Sequence, residues 1–258
     1  MEYANGILYR HLTTAGKVGV RVELHCHNQF ELLYISNGQM AHVVEDRKYQ
    51  IGSGDLVLVR PSTYHYLEHL SEQPYQRHNI LFDPEELGID VSFLPEDTEV
   101  VSLLNNPIAI GLFQKMEYYH NGLSPEAFAE FLKSVLRELF LNLQIFTDLC
   151  YRKKTMLSPI LTRALEYINE KLFAITDVEE IAQALYISPS YLFYLFRATL
   201  HQSPKKYITE KRLLAAQRQI CAGNKPTEIY KLCGFRDYTT FFRSYTAYFG
   251  HNPSQEGK

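Results

Sequence analysis

Three histidines and one glutamate near the N-terminus have side chains that could hold a metal ion or a polar ligand. His25 and His27 are two residues apart, so a β-strand would place both imidazoles on one face. Glu31 follows, and His65 could complete a set of three imidazoles and one carboxylate. That set suits Fe(II), Mn(II), Ni(II) or Zn(II). The same groups could instead hydrogen-bond a polar ligand or be purely structural, and the residues alone leave these interpretations open.

The elements that must position these side chains are short β-rich runs between residues 18 and 82. Gly, Asn and Pro separate the runs, and their even spacing predicts an antiparallel sandwich or jelly roll, in effect a small β-barrel. Tyr34 lies on one run and is a candidate for stacking against a ligand. The predicted strands are VRVELHCH, FELLYIS, GQMAHVVED, KYQIG, DLVLVRP and YHYLEHL.

The spacing of the histidines also carries a resemblance. The run Gly19-x5-His25-x-His27-x3-Glu31-x6-Gly38 resembles the first cupin motif at every anchor, and Gly54, Pro61 and His65 resemble part of the second. The second motif departs from the cupin pattern because the usual Gly after the Pro is absent and His65 comes one residue early. The resemblance covers roughly residues 15–75 and implies a barrel that binds a sugar or another small molecule, often without metal.

The predicted ligand site therefore rests on the cupin-like residues together with the tyrosine. We expect no cofactor, and a divalent transition metal held by the histidines and the glutamate is the alternative. The predicted ligand-binding residues are His25, His27, Glu31, Tyr34 and His65, and the alternative metal ligands are His25, His27, Glu31 and His65.

A helical segment is predicted after the barrel, within residues 103–155. Ser124-Pro125-Glu126 is a good helix start, and a wide apolar stripe follows it from Phe128 to Phe146. One interpretation is a pair of helices that forms a homodimer. The other is packing of this stripe against residues 103–120 of the same chain. Residues 151–155 are predicted to link this segment to the C-terminal part.

The C-terminal part contains two copies of one pattern, offset by 48–49 residues. Ile181 in the first copy corresponds to Ile229 in the second, and Phe196 corresponds to Tyr245. Each copy has a short helical stretch, a break and a second helical stretch, which is the helix-turn-helix pattern. Predicted N-caps are Thr176 or Asp177, then Ser188, Ser203 and Asp237. The helix that begins at Ser203-Pro204 would bridge the two units and could hold their second helices near successive major grooves of DNA.

Three segments resemble the AraC/XylS family of bacterial transcription regulators: IAQALYISPSYLFYLF, SPKKYITEKRLLAAQRQI and CGFRDYTTFFRSYTAYFGHNP. The resemblance covers roughly residues 157–253, and a cupin-like domain ahead of such a segment is a common arrangement in that family. The family usually has Ala where Tyr230 stands and Gly where His201 stands. It commonly has polar or basic residues where Phe193 and Tyr194 stand, and aromatic side chains cannot make the bidentate guanine contact of arginine.

The resemblance implies which residues meet double-stranded DNA. Arg243 matches the base-reading arginine of the family, and Thr239, Thr240 and Phe242 share its expected outward face. Basic residues on the bridging helix are candidate phosphate contacts, or else an ordinary solvated face. The predicted DNA-binding residues are Ser190, Phe193, Tyr194, Arg197, Lys205, Lys206, Arg212, Thr239, Thr240, Phe242 and Arg243.

Charge is divided unequally along the chain. The 258 residues carry a net charge of −3, but residues 156–258 hold 13 Lys and Arg against 9 Asp and Glu, whereas residues 1–155 hold 13 against 20. A basic part joined to an acidic part suggests that one domain alone binds nucleic acid. Four cysteines without paired spacing, and no signal sequence or long apolar run, predict a cytoplasmic protein that does not enter membranes.

We therefore predict an α+β protein with three parts: a cupin-like effector barrel (1–102), a helical dimerisation segment and linker (103–155), and an all-α DNA-binding domain (156–258). The predicted function is a non-enzymatic, dimeric transcription activator that responds to a small polar effector such as a sugar. One alternative is a metal-dependent cupin enzyme with an appended DNA-binding domain. The other is a ligand-independent dimeric activator.

Overall fold

The computed structural model describes residues 2–4, 6–22, 24–95, 99–146 and 150–256. The chain divides into two compact units. The first consists of Met1–His25, Gln29–Val44 and Lys48–Thr155, and the second of Cys26–Asn28, Glu45–Arg47 and Met156–Lys258. None of the described helices is both long and apolar enough to cross a membrane.

The first unit is built on two antiparallel sheets. One sheet has the order β1-β2-β8-β3-β6-β9-β10 and the other β11-β5-β4-β7. The described strands form two sheets rather than the one closed barrel of the prediction. The strands are β1 (Glu2–Ala4), β2 (Ile7–Thr14), β3 (Phe30–Asn37), β4 (Gln39–Val44), β5 (Arg47–Gly52), β6 (Asp55–Val59), β7 (His65–His69), β8 (Tyr75–Phe82), β9 (Val100–Ser102), β10 (Cys150–Tyr151) and β11 (Thr155–Met156).

The predicted strand VRVELHCH is wrong as a strand, and one of its residues, Glu23, lies outside the described residues. The rest of the run lies beside β7 and pairs with it only through two isolated antiparallel bridges, Arg21 to Glu68 and His25 to His65. Its alternation of apolar and polar residues reflects this partial pairing and not a continuous ladder. The bridges still hold His25 opposite His65, which is the pairing that the site needs.

The two faces of the larger sheet have different neighbours. On β3, Leu33 and Ile35 pack with Tyr49 and Leu67 of the smaller sheet. Their neighbours Leu32 and Tyr34 point the opposite way, into a cluster with the helices. One face of the larger sheet is therefore the space between the sheets, and the other is a helix-covered core.

The described residues of the first unit also form helices α1 (Pro84–Leu87), α2 (Pro107–His120) and α3 (Pro125–Ile145), with β9 between α1 and α2 and with β10 and β11 after α3. Ser124 caps α3 by accepting a hydrogen bond from the amide of Ala127, as its sequence predicts. The predicted apolar stripe of α3 is buried from Phe128 to Leu143 in the same cluster as the sheet and Phe113 of α2. The stripe therefore packs within its own chain, which is the second of the two interpretations, and the homodimer stays a prediction.

The helices of the second unit are α4 (Pro159–Lys171), α5 (Val178–Ala184), α6 (Pro189–Leu200), α7 (Pro204–Cys221), α8 (Pro226–Leu232) and α9 (Tyr238–Phe249), followed by a 3-10 turn over Pro253–Gln255. The predicted N-caps Asp177, Ser188, Ser203 and Asp237 are all confirmed. Proline occupies the first turn of α6 and α7, where no backbone donor is lost.

The buried residues of the second unit occupy corresponding positions in the two copies of the sequence repeat. Leu192 and Phe196 of α6 are fully buried, as are Phe241 and Tyr245 of α9. Gly234 turns the chain between α8 and α9 with a φ of +80°, in the left-handed region that favours glycine. Helices α5 and α6 therefore form one helix-turn-helix, and α8 and α9 form the other. In each, the second helix has one buried and one exposed face.

Candidate functional sites

The structure brings together the four cupin-like residues of the first site. One possible ligand atom from each of His25, His27, Glu31 and His65 lies within 4.8 Å of the others. The backbone bridge between His25 and His65 places their rings with centroids 4.3 Å apart. Glu31 and His65 are buried, whereas His25 is exposed and His27 is half-buried.

A buried ion pair connects the two sheets at this point. Oε2 of Glu31, on β3, lies 2.9 Å from Nε2 of His65, on β7. The amide of Asn79 donates a hydrogen bond to the same carboxylate. Burial disfavours charge on His65, but the Glu31 carboxylate, its hydrogen bond and the Thr63 carbonyl outweigh burial, so the pKa of His65 is raised. The contact therefore favours the protonated form of His65 beside the Glu31 carboxylate.

The donor set fits a divalent transition metal in composition, because three imidazoles and one carboxylate converge. Both nitrogens of His65 are already engaged, however. Nε2 faces Glu31, and Nδ1 lies 3.0 Å from the carbonyl of Thr63. A metal at this position would have to break the ion pair and take the proton from His65.

Tyr34 does not belong to this site, which corrects its predicted role in ligand binding. Residues three apart on a strand face opposite ways, so Tyr34 points away from Glu31. Its ring stacks on Phe113 of α2, with centroids 4.1 Å apart and 12° between planes. Tyr34 is therefore part of the helix-covered core.

Two further polar residues share the inner face with Glu31, and the sequence reasoning missed both. Arg77 and Asn79 lie on the central strand β8, with Asn79 directly opposite Leu33. Both are half-buried. Arg77 Nε and Asn79 Oδ1 are nevertheless shielded from solvent and have no hydrogen-bond partner among the described residues. The alternation in Tyr75–Phe82 could have revealed the strand, but the polar run Gln-Arg-His-Asn hid it.

The predicted reading helix of the second unit, α9, presents the expected outer face. Thr239, Thr240, Phe242 and Arg243 are all exposed. The hydroxyl of Thr240 donates to Asp237 at 2.8 Å, so this side chain also supports the N-cap. Arg243 lies close enough to Asp237 to help lower the pKa of that carboxyl, after the hydrogen bonds from Thr240.

The outer face of α6 is aromatic. Ser190, Tyr194 and Arg197 are exposed, as predicted, and Tyr194 stacks on Tyr191 with centroids 6.2 Å apart. Phe193 is half-buried and lines a 350 Å³ pocket with side chains of α5 and α7. The structure therefore argues against a groove-facing role for Phe193, because its position on α6 turns it toward these neighbours.

The basic residues of α7 separate into two kinds. Lys205 and Lys206, in the first turn, are exposed. Arg212 donates hydrogen bonds to the carbonyls of Leu172, Ile175 and Gly234, at 2.8, 2.6 and 2.9 Å. Its predicted phosphate contact is therefore contradicted, because the guanidinium is held by backbone inside its own unit.

Comparison with known proteins defines the class. Residues 10–109 match the family model described as the AraC-like ligand binding domain. Residues 181–258 match the model described as a helix-turn-helix domain. Together with the fold, these matches define a transcription regulator that joins a ligand-binding domain to a DNA-binding domain. More particularly, the chain belongs to the AraC family of transcription regulators.

Among its relatives is the HTH-type transcriptional activator RhaR of Salmonella schwarzengrund (strain CVM19633), which is 27% identical over 90% of this chain and 85% of RhaR. The raffinose operon transcriptional regulatory protein RafR of Pediococcus pentosaceus is 29% identical over 35% of this chain, and the match spans a third of RafR. Among solved structures, apo ToxT K231A from Vibrio cholerae strain SCE256 aligns over 99% of this chain and 98% of ToxT, with 13% identity and a TM-score of 0.45.

Proposed function

We propose that this regulator binds a small, hydroxyl-bearing effector between the two sheets of its first unit and reads DNA bases with α9. Its role is binding without catalysis, in the cytoplasm, as a homodimer. By analogy with RhaR, whose name describes an activator, we propose activation as the output. The effector would act by favouring one of two states of the regulator that differ in DNA affinity.

The observation that carries the effector site is a donor and an acceptor buried without partners. Nε of Arg77 and Oδ1 of Asn79 lie two residues apart on one face of β8. A buried polar group without a partner costs about 1–3 kcal/mol. A ligand hydroxyl can accept from the guanidinium and donate to the amide oxygen, which would remove both costs. The Glu31–His65 pair beside Asn79 supplies further charged partners.

A thermal-shift screen of the full chain tests this site. The panel contains neutral monosaccharides, sugar acids and polyols, and a compound that binds the native state raises Tm by mass action. We expect at least one class to raise Tm, and Asn79→Leu to abolish that shift. Gln76→Ala is the matched control, because Gln76 lies on β8 but faces the other side of the sheet. An equal shift in Asn79→Leu, or no shift with any member of the panel, would contradict the proposal. The second outcome would favour the ligand-independent activator.

The DNA-reading role rests on the exposed face of α9. A guanidinium can form two hydrogen bonds to one guanine, and Arg243 is exposed in the middle of that face. Lys205 and Lys206 are exposed in the first turn of α7, and Nζ of Lys206 lies 3.6 Å from Oε1 of Glu210, a weak pair that a phosphate could replace. We propose Arg243 for base reading and the two lysines for sequence-independent affinity, with Ser190, Tyr194, Arg197, Thr239 and Phe242 as further contacts.

The second candidate is the metal-dependent cupin enzyme, which is favoured by the convergence of His25, His27, Glu31 and His65. Elemental analysis of the purified full chain separates the two candidates. The enzyme requires about one equivalent of iron, manganese or nickel that is lost in Glu31→Gln. Metal content that is unchanged by Glu31→Gln excludes this candidate.

A further inference from the structure

A second group of metal-ligating side chains lies on the helix-covered face of the larger sheet. His11 on β2 and His78 on β8 are directly opposite in the antiparallel ladder. Glu117, on α2, approaches them from the covering helix. One possible ligand atom from each of the three lies within 4.8 Å of the others. His78 and Asn79 are adjacent on β8, so this group and the effector site are on opposite faces of one sheet.

His78 has the orientation of a metal ligand. It is fully buried, and the hydroxyl of Tyr9 lies 2.8 Å from its Nδ1. Metal-bound histidines commonly use the second ring nitrogen for such a hydrogen bond, which fixes the ring. The contact with Tyr9 leaves Nε2 as the nitrogen that would bind.

His11 and Glu117 are the adjustable members of the group. Nε2 of His11 is shielded from solvent and has no hydrogen-bond partner among the described residues. Its Nδ1 lies 3.9 Å from Oε1 of Glu117, whose side chain is 51% exposed. The rings of His11 and His78 are stacked, with centroids 4.5 Å apart and 17° between planes.

A fourth donor lies one helical turn beyond Glu117. His120 is three residues further along α2, and residues at this spacing share a helix face. Its ring centroid is 5.1 Å from that of Tyr9, the residue that holds His78. Glu117 and His120 thus share one face of α2, with the His120 ring beside Tyr9.

We propose that His11, His78 and Glu117, with His120 as a fourth donor, form a zinc site that connects α2 to strands β2 and β8. Two or three imidazoles and one carboxylate suit tetrahedral Zn²⁺, with bonds of about 2.0–2.2 Å. A zinc–imidazole bond lies in the plane of the imidazole ring. The His11 ring must therefore rotate out of its stack on the His78 ring to bind zinc. His78 stays in place, and the half-exposed Glu117 closes the site.

A zinc titration of the full chain, after removal of metal with a chelator, tests the site. Calorimetry gives affinity and stoichiometry, and the thermal shift reports stabilisation of the native state. We expect one equivalent of Zn²⁺ to bind and to raise Tm. His11→Ala and Glu117→Ala should each weaken binding at least tenfold, and His120→Ala should weaken it less. These variants change partly exposed side chains, which protects the fold.

Two controls keep the result specific. Glu130→Gln removes an exposed carboxylate from the same unit and should leave the affinity unchanged. Glu31→Gln disrupts the cluster on the other face of the sheet and should also leave it unchanged. Zinc affinity that survives in both His11→Ala and Glu117→Ala would overturn the proposal. So would affinity lost in Glu31→Gln alone, or a wild-type chain that does not bind zinc at 100 micromolar, about 5.5 kcal/mol of binding free energy.

Discussion

Arg212 illustrates how a basic residue on a DNA-binding helix can have a structural role. Its guanidinium donates hydrogen bonds to three backbone carbonyls, two in the connection after α4 and one at Gly234. A Cβ at Gly234 would lie 2.8 Å from the guanidinium carbon, so the turn and the arginine require each other. Charge pattern alone did not distinguish this residue from Lys205, because the contacts come from segments distant in sequence.

We expect Arg212→Ala to destabilise the second unit by about 2 kcal/mol, because hydrogen bonds from a charged donor to partly buried carbonyls are lost. Chemical denaturation of the full chain measures this change. Lys205→Ala is the control and should change stability by less than about 0.5 kcal/mol. If Arg212→Ala left stability unchanged, the structural role would be wrong.

The Glu31–His65 pair predicts a pH dependence with a definite sign. The folded pKa of His65 is raised, so the stabilisation is fully present below the unfolded pKa of about 6.5 and is lost as pH rises through the folded value. We expect the Tm difference between wild type and His65→Gln to be largest near pH 5.5 and to shrink by pH 9. Chelator keeps metal out of both samples. A difference that grows with pH would contradict the ion pair.

Helices were easier to predict than strands for a physical reason. A helix start is local: Ser124, Ser188, Ser203 and Asp237 each cap a helix as their sequence context predicts. A strand needs a partner from elsewhere, which is why β8 was missed and the run before His27 was overestimated. The cupin-like spacing predicted that Glu31 and His65 meet. It could not predict Arg77 and Asn79, because they enter the site through pairing of β8 with β3.

The two reading helices should contribute unequally to sequence specificity. Outside its core face, α6 presents a pair of stacked tyrosines and has its arginine, Arg197, only in the last turn, whereas α9 presents Arg243 in its middle. Tyrosine cannot make the bidentate guanine contact. In a binding scan of every operator position, we expect losses of about 1–3 kcal/mol per change under α9 and smaller losses under α6. Equal sensitivity in both halves, or greater sensitivity under α6, would refute this asymmetry.

A homodimer through α3 must use the face that the core leaves open. Leu141 and Ile145 are 63% and 76% exposed and lie one turn apart. We expect the double variant Leu141→Lys, Ile145→Lys to sediment as a monomer, because two charges would replace apolar contact area. Lys133→Glu, on the same helix, is the control. A wild-type monomer, or a double variant that remains dimeric, would show that α3 does not form the dimer.

At the scale of the whole chain, charge and function divide in the same place. Residues 1–155 are acidic, with 20 Asp and Glu against 13 Lys and Arg, and residues 156–258 are basic. The ligand-binding match lies within the acidic part and the helix-turn-helix match within the basic part. Phosphate attraction therefore belongs to the second part, while the first part supplies buried polar groups for an effector.

The central claim is that this regulator reads a defined DNA sequence, with Arg243 among the residues that read it. Selection of binding sites from a random DNA library by the full chain at fixed salt tests this most directly. We expect one enriched motif, loss of preference at one or two of its positions in Arg243→Ala with about 1–3 kcal/mol weaker binding, and an unchanged motif in Lys205→Ala. If no motif were enriched, or if Arg243→Ala selected the same motif with the same affinity, base reading by Arg243 would be contradicted.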